Sequence, residues 1–217
     1  MLLLAFDTAT PAVTAAVHDG ERVLAETTTV DARRHGELLM PSITHVLGQA
    51  GLTMRDVTAI AVGTGPGPYT GLRVGLVTAR VLGATLGVPV HGVCTLDAIA
   101  GQAVSAAAGQ EFLVATDARR KEVYWARYSP AGERLTEPAV GAPSGMDPAI
   151  PAAGEGPRLY PAAFGAPIEP RYPSASWLAF FASVRGKAGL ALPGPEPLYL
   201  RKPDARVPGP PKRVSAS

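Results

Sequence analysis

Residues 63–75, Gly-Thr-Gly-Pro-Gly-Pro-Tyr-Thr-Gly-Leu-Arg-Val-Gly, are the stretch of this sequence best placed to do chemistry. A glycine-rich turn between a strand and a helix is a common phosphate holder, because free N–H groups and the helix dipole face the anion. Neither established spacing is met. A Walker loop requires Gly-Lys-Ser/Thr five residues after its first glycine. At that distance Gly65 is followed by Thr70 and Gly67 by Leu72, and the stretch has no lysine. A dinucleotide turn requires glycines at positions one, three and six. Gly63 and Gly65 meet Pro68 there, and Gly65 and Gly67 meet Thr70. Two prolines also remove two N–H donors. The turn therefore reads as structural, a launch for the helix behind it.

The other chemical candidates are sparse. Asp7 ends the apolar run Leu2–Phe6. A carboxylate at a strand end can hold Mg²⁺ near a phosphate, or simply cap a turn. A two-histidine helical metal site needs i, i+4 spacing. His35 is followed at that distance by Leu39 and His45 by Gln49, so no metal site is expected, and His18 and His91 fall at strand positions. Cys94 is the only cysteine, which excludes an internal disulfide and reads as a small buried hydrophobe. No G-x-S-x-G elbow marks a nucleophile.

The elements that would position these groups follow from periodicity and turn residues. Leu2–Phe6, Val13–His18 and Arg22–Val30 read as an antiparallel meander, with Asp19-Gly20 as a type I′ hairpin signal. His35–Gln49 carries Leu38, Leu39, Ile43, Val46 and Leu47 at helical spacing, with Pro41 predicting a kink or restart. Strand 59–63, helix 70–86, a strand at Val88–Val93 and a helix capped by Thr95 follow. On helix 70–86, Gly71, Gly75, Ala79 and Gly83 form a ridge nearly without side chains, while leucines and valines cover the other faces. Such a helix is buried all round. It is either central to a thick domain or packed against a partner helix. Arg73 and Arg80, seven apart, share one side and could meet acids across that interface.

A second unit begins near Glu111, with strands at 112–116 and 122–128 around the Asp117-Ala118-Arg119-Arg120 turn. Nine prolines between Pro138 and Pro173 limit its later strands to short edges. Ser174–Val184 is a short apolar helix. The order predicts a mixed sheet with helices packed against it, followed by this second unit, and a disordered tail is expected over 203–217. The 217 residues are 47% apolar with a net charge of +2. Five basic residues and one acid lie from Arg201 onward, which leaves the rest at −2. Any footprint for nucleic acid is thus confined to the tail. The first residues lack a basic region, and Arg73 and Arg80 interrupt the apolar helix, so a cytoplasmic protein without a membrane span is expected.

Five blocks in order resemble one family: Phe6–Thr10, His35–Pro41, Gly65–Gly75, Val93–Ala98 and Asp117–Tyr124. They are similar to TsaB (YeaZ) proteins over residues 1–128, and more weakly at Leu198–Arg201. The resemblance implies an actin/Hsp70/sugar-kinase-like (ASKHA, ribonuclease H-like) fold of two α/β lobes, 1–108 and 109–202, the second abbreviated, with mixed sheets flanked by helices. It implies a non-catalytic subunit for threonylcarbamoyladenosine at position 37 of tRNAs reading ANN codons. Such a subunit binds and activates TsaD, with TsaE completing the set, and reaches tRNA only through the complex. TsaD-like proteins carry His-x-x-x-His where this chain reads His35 and Leu39, so the second ligand is missing. Pairing through the first two helices would use His35, Leu39, Ile43, Gly71, Arg73, Gly75, Ala79 and Arg80, and would also serve self-association. Asp7, Thr8 and Thr10 would lie near any nucleotide, with ATP or ADP and Mg²⁺ at the complex junction and no intrinsic cofactor. The alternatives are an ATPase or kinase of the same fold that holds Mg²⁺ on Asp7, and, more weakly, a peptidase.

Overall fold

The computed structural model describes residues 1–201, so the expectation for the tail at 203–217 lies outside the described residues. Among the described residues, nine strands form two sheets, and five α-helices pack with them. The first sheet contains β1 (Leu3–Asp7), β2 (Ala12–His18), β3 (Val23–Val30), β4 (Ala59–Gly63) and β5 (Val90–Val93), in the order β3-β2-β1-β4-β5. The meander pairs antiparallel, whereas β1–β4 and β4–β5 are parallel. The second contains β6 (Phe112–Asp117), β7 (Val123–Tyr128), β8 (Ala139–Gly141) and β9 (Ala152–Ala153), in the order β8-β7-β6-β9. It repeats the first four positions of the first sheet, and in the fifth a single parallel bridge joins Ala152 to Pro167.

Side-chain alternation along β1 sets the layers. Leu4 and Phe6 face one side, where α1 (His35–Gln49) and α2 (Tyr69–Leu86) cover them with Leu39, Ile43, Val46, Leu72 and Leu76. Leu3 and Ala5 face the other side, with Ala16, Ala59 and Ala61. These small residues let α5 (Ala175–Lys187) lie close on that face through Ala175, Leu178, Ala179 and Ala182. α3 (Thr95–Ala103) instead packs on the second sheet, its Leu96, Ile99 and Ala100 against Phe112, Val114 and Tyr128. The two sheets thus exchange helices. A boundary near residue 108 separates the sheets but not the cores, since α5 fills the core of the first. The short α4 (Gly156–Leu159) lies beside β6.

Four local expectations are corrected. The Asp19-Gly20 turn is not type I′, because only Gly20 has a positive φ and Asp19 Oδ1 instead accepts from the N–H groups of Glu21 and Arg22. α1 runs unbroken through Pro41, which lies on its exposed side. The Thr95 hydroxyl does not cap α3, because it donates to Asp7. Ser174 Oγ donates to Glu26 rather than capping α5. Among the described residues, no helix is long and apolar enough to cross a membrane.

Candidate functional site

The glycine turn, the end of β1 and the start of α2 meet at one place, and the structure shows what they do there. Asp7 is fully buried. Its Oδ1 accepts from the Ala9 N–H at 2.6 Å, and its Oδ2 accepts from the Thr95 hydroxyl at 2.6 Å. Thr95 Oγ1 in turn accepts from Gly65 N–H at 3.1 Å, and Thr95 N–H donates to the Gly65 carbonyl at 2.8 Å. Gly63 presses on the same carboxylate, so closely that a Cβ there would lie 1.8 Å from Asp7 Oδ2. Burial pushes the Asp7 carboxyl above its ordinary range, against the pull of Thr95, Ala9 and the His35 charge. Of the two readings of Asp7, the geometry matches the turn cap: each carboxylate oxygen accepts from one of the chain's own donors.

The glycine ridge of α2 is explained by Thr8. Its hydroxyl donates to the Gly71 carbonyl at 2.7 Å and accepts from Gly75 N–H at 2.9 Å. Those are the two groups an α-helix pairs directly, so Thr8 inserts into the backbone ladder of the helix. No side chain fits there: a Cβ at Gly71 would lie 2.6 Å from the Thr8 carbonyl, and one at Gly75 2.7 Å from its hydroxyl. Ala79 is buried, and Gly83 lies against Val90. The ridge therefore meets the chain's own sheet, which corrects its reading as a surface for a partner helix. Thr8→Val, which keeps shape and removes the bridge, is expected to cost about 1–3 kcal/mol in urea unfolding.

Other residues of the expected partner face are also used internally. Leu39 and Ile43 are 1% and 0% exposed in the core. Arg80 reaches Glu196 and the Pro195 carbonyl, each at 2.9 Å. Arg73 lies 3.7 Å from the centre of the Tyr69 ring and donates to the Tyr199 hydroxyl at 3.2 Å. Both arginines thus hold the chain's own 195–199 segment. His35 Nε2 lies 2.8 Å from the Thr10 carbonyl. What α1 and α2 leave outward is another row: Met40, 41% exposed, and Val77 and Val81, each 58% exposed. The helical period contained this row, but an all-apolar helix did not reveal which side would face out. Thr8 and Thr10 are buried, yet with His35, Gly71 and Arg119 they line a cavity of about 240 Å³. Burial pushes the Cys94 thiol up to about 12, which keeps it protonated at neutral pH. Among the described residues, no three His, Cys, Asp or Glu side chains converge to hold a metal.

Two sheets of matching strand order with exchanged helices define the actin-like (ASKHA) fold. The activator of 2-hydroxyisocaproyl-CoA dehydratase from Clostridium difficile shares that fold, with a TM-score of 0.53 over 88% of this chain and 98% of its own at 10% identity. Residues 22–159 match the family model described as TsaD: tRNA N6-adenosine threonylcarbamoyltransferase. YeaZ from Pseudomonas aeruginosa superposes with a TM-score of 0.76 at 31% identity, over 92% of this chain and 99% of its own. An uncharacterized protein of Mycobacterium tuberculosis is 48% identical over 94% of this chain and 93% of its own length. The tRNA threonylcarbamoyladenosine biosynthesis protein TsaB of Escherichia coli is 37% identical over 128 residues, 59% of this chain and 55% of that protein. The chain thus spans about half the length of that relative, and it belongs to the TsaB (YeaZ) family.

Proposed function

We propose that this chain serves threonylcarbamoyladenosine formation at position 37 of tRNAs reading ANN codons as a non-catalytic subunit, docking TsaD through the outward row of α1 and α2. The exposure of Met40, Val77 and Val81 on two adjacent helices carries this reading, because the other leucine, isoleucine and valine side chains of that pair are buried or half-buried. A fully buried valine contributes about 1.5–3 kcal/mol. Two at the centre of an interface are enough to decide whether a complex forms. The committed oxygens of Asp7 support a binding role over phosphoryl transfer, and the names of the TsaB relatives support the pathway. TsaE joins as a third component, and the same row serves self-association when TsaD is absent.

The test is light-scattering mass of the chain alone and mixed with its own TsaD. The parent is expected to form a heterodimer. Val77→Asp with Val81→Asp, both at exposed positions, is expected to lower affinity at least about 100-fold while the melting temperature stays put. A heterodimer unchanged by the double substitution would move the interface elsewhere. Gly75→Leu is not a usable probe, because it strikes the Thr8 hydroxyl inside the fold.

A further inference from the structure

The β6–β7 turn has the longest run of positive-φ non-glycine residues among the described residues. Arg119, Arg120 and Lys121 have φ values of 60°, 55° and 60°, three consecutive non-glycine residues in the left-handed region. Such a conformation costs energy at each residue and persists where the surroundings enforce it. Here it projects three exposed cationic side chains from one hairpin tip. Arg201 lies beside the tip, donating to the Ala118 carbonyl and pairing with Glu122. Asp117 pairs with Arg119. Four cations therefore share this corner with two acids.

Arg119, Arg120 and Arg201 line a cavity of about 390 Å³ together with Tyr69, Tyr124 and Tyr199. Tyr69 and Tyr199 are 43% and 44% exposed, with ring centres 5.3 Å apart. Arg73 lies over the Tyr69 ring and fixes the Tyr199 hydroxyl, so the aromatic pair is held in place before any ligand arrives. Cations that track a backbone beside a rigid aromatic platform are the two parts of a single-strand binding surface. We propose that this corner binds single-stranded RNA, with the Arg119–Lys121 turn and Arg201 on phosphates and the Tyr69–Tyr199 pair under a base. A duplex offers the phosphates but not an unstacked base. This inference stands on charge and stacking alone, and its test involves no partner subunit, so its failure leaves the TsaD reading untouched.

The experiment is fluorescence anisotropy of the full chain with a fluorescein-labelled 12-nucleotide oligouridine RNA and, in parallel, a 12-base-pair DNA duplex, at 50 and 200 mM KCl. Asparagine tolerates the left-handed backbone better than alanine does, so the charge-removing variant is Arg119→Asn/Arg120→Asn/Lys121→Asn. It is expected to melt with the parent, bind RNA about tenfold more weakly and lose about 2 from the slope of log affinity against log salt. Lys121→Glu, at the exposed tip, is expected to act in the same direction. Tyr199→Leu is expected to weaken RNA about tenfold and the duplex hardly at all. The proposal is overturned if the parent does not bind RNA at 50 mM KCl or if the turn variant binds like the parent. It is equally overturned if Tyr199→Leu leaves RNA binding intact, or if truncation after Arg201 alone abolishes binding that the turn variant retains.

Discussion

Gly67→Ala is expected to leave no stably folded chain. A Cβ at residue 67 would lie 2.1 Å from the Ala9 carbonyl oxygen, 2.8 Å from its Cβ and 2.9 Å from its carbonyl carbon. Two of those atoms are backbone, so no side-chain rotation relieves the overlap. Moving Ala9 would also break its N–H bond to Asp7, which is tied to Thr95 and through it to Gly65. The strain therefore spreads through the junction of both sheets. A loss above about 4 kcal/mol is expected, a large part of the 5–15 kcal/mol that stabilises an ordinary domain. The internal control is Gly48→Ala on the exposed side of α1, where nothing lies within 4 Å of the new Cβ. There the helix gains about 0.5–1 kcal/mol. Urea unfolding of both variants against the parent decides the matter. A Gly67→Ala midpoint equal to the parent's would mean that the turn does not rest on Ala9.

That pair of glycines shows where sequence reading reached and where it stopped. Periodicity placed α1 at His35–Gln49, the observed span, and the alternating elements gave the mixed first sheet. The glycines of α2 signalled close approach, but a missing Cβ says only that something comes near, not which surface does. Thr8 is 63 residues from Gly71 in the chain, and no local pattern links them. The same holds for Asp7 and Thr95, 88 apart. A carboxylate at a strand end looks alike whether open to a metal or sealed by a hydroxyl. Arg73 and Arg80 were legible as a pair on one side, while their partners Tyr199 and Glu196 lie more than a hundred residues on. The exchange of α3 and α5 between sheets left no trace, because an apolar helix fits either core.

Asp7→Asn is expected to gain stability relative to the parent as pH rises above 3.8, because only the parent must then ionise a buried carboxyl. Burial raises the carboxyls of Asp7 and Asp97 above their ordinary value of 3.8, in Asp97 against the pull of Arg134 and Tyr128. Each therefore binds its proton more tightly folded than unfolded. By linkage, the stabilisation such a group gives is fully present below 3.8 and is lost, by up to about 1.4 kcal/mol per pH unit per group, as pH rises from 3.8 through its folded pKa, above which the profile is flat. Asp19, Asp31 and Asp56 act oppositely. Backbone N–H donors lower each, so their stabilisation is present above 3.8 and is lost only as pH falls below that value. The two carboxyl sets therefore act on opposite sides of 3.8. Burial lowers His18 and His91 below 6.5, so each costs stability as pH falls through that value, and the difference between the parent and Asp7→Asn is what isolates the buried carboxyl. Asparagine at position 7 keeps an acceptor for the Ala9 N–H and carries no charge, so its advantage over the parent should grow with pH. Asp7→Ala removes both acceptors and is expected to lose about 2–4 kcal/mol at every pH between about 5 and 8. Melting temperatures at four pH values separate these outcomes. Parallel profiles for the parent and Asp7→Asn would mean that the carboxylate stays ionised in the fold, open to water or a cation, and the sealed reading of this site would fall.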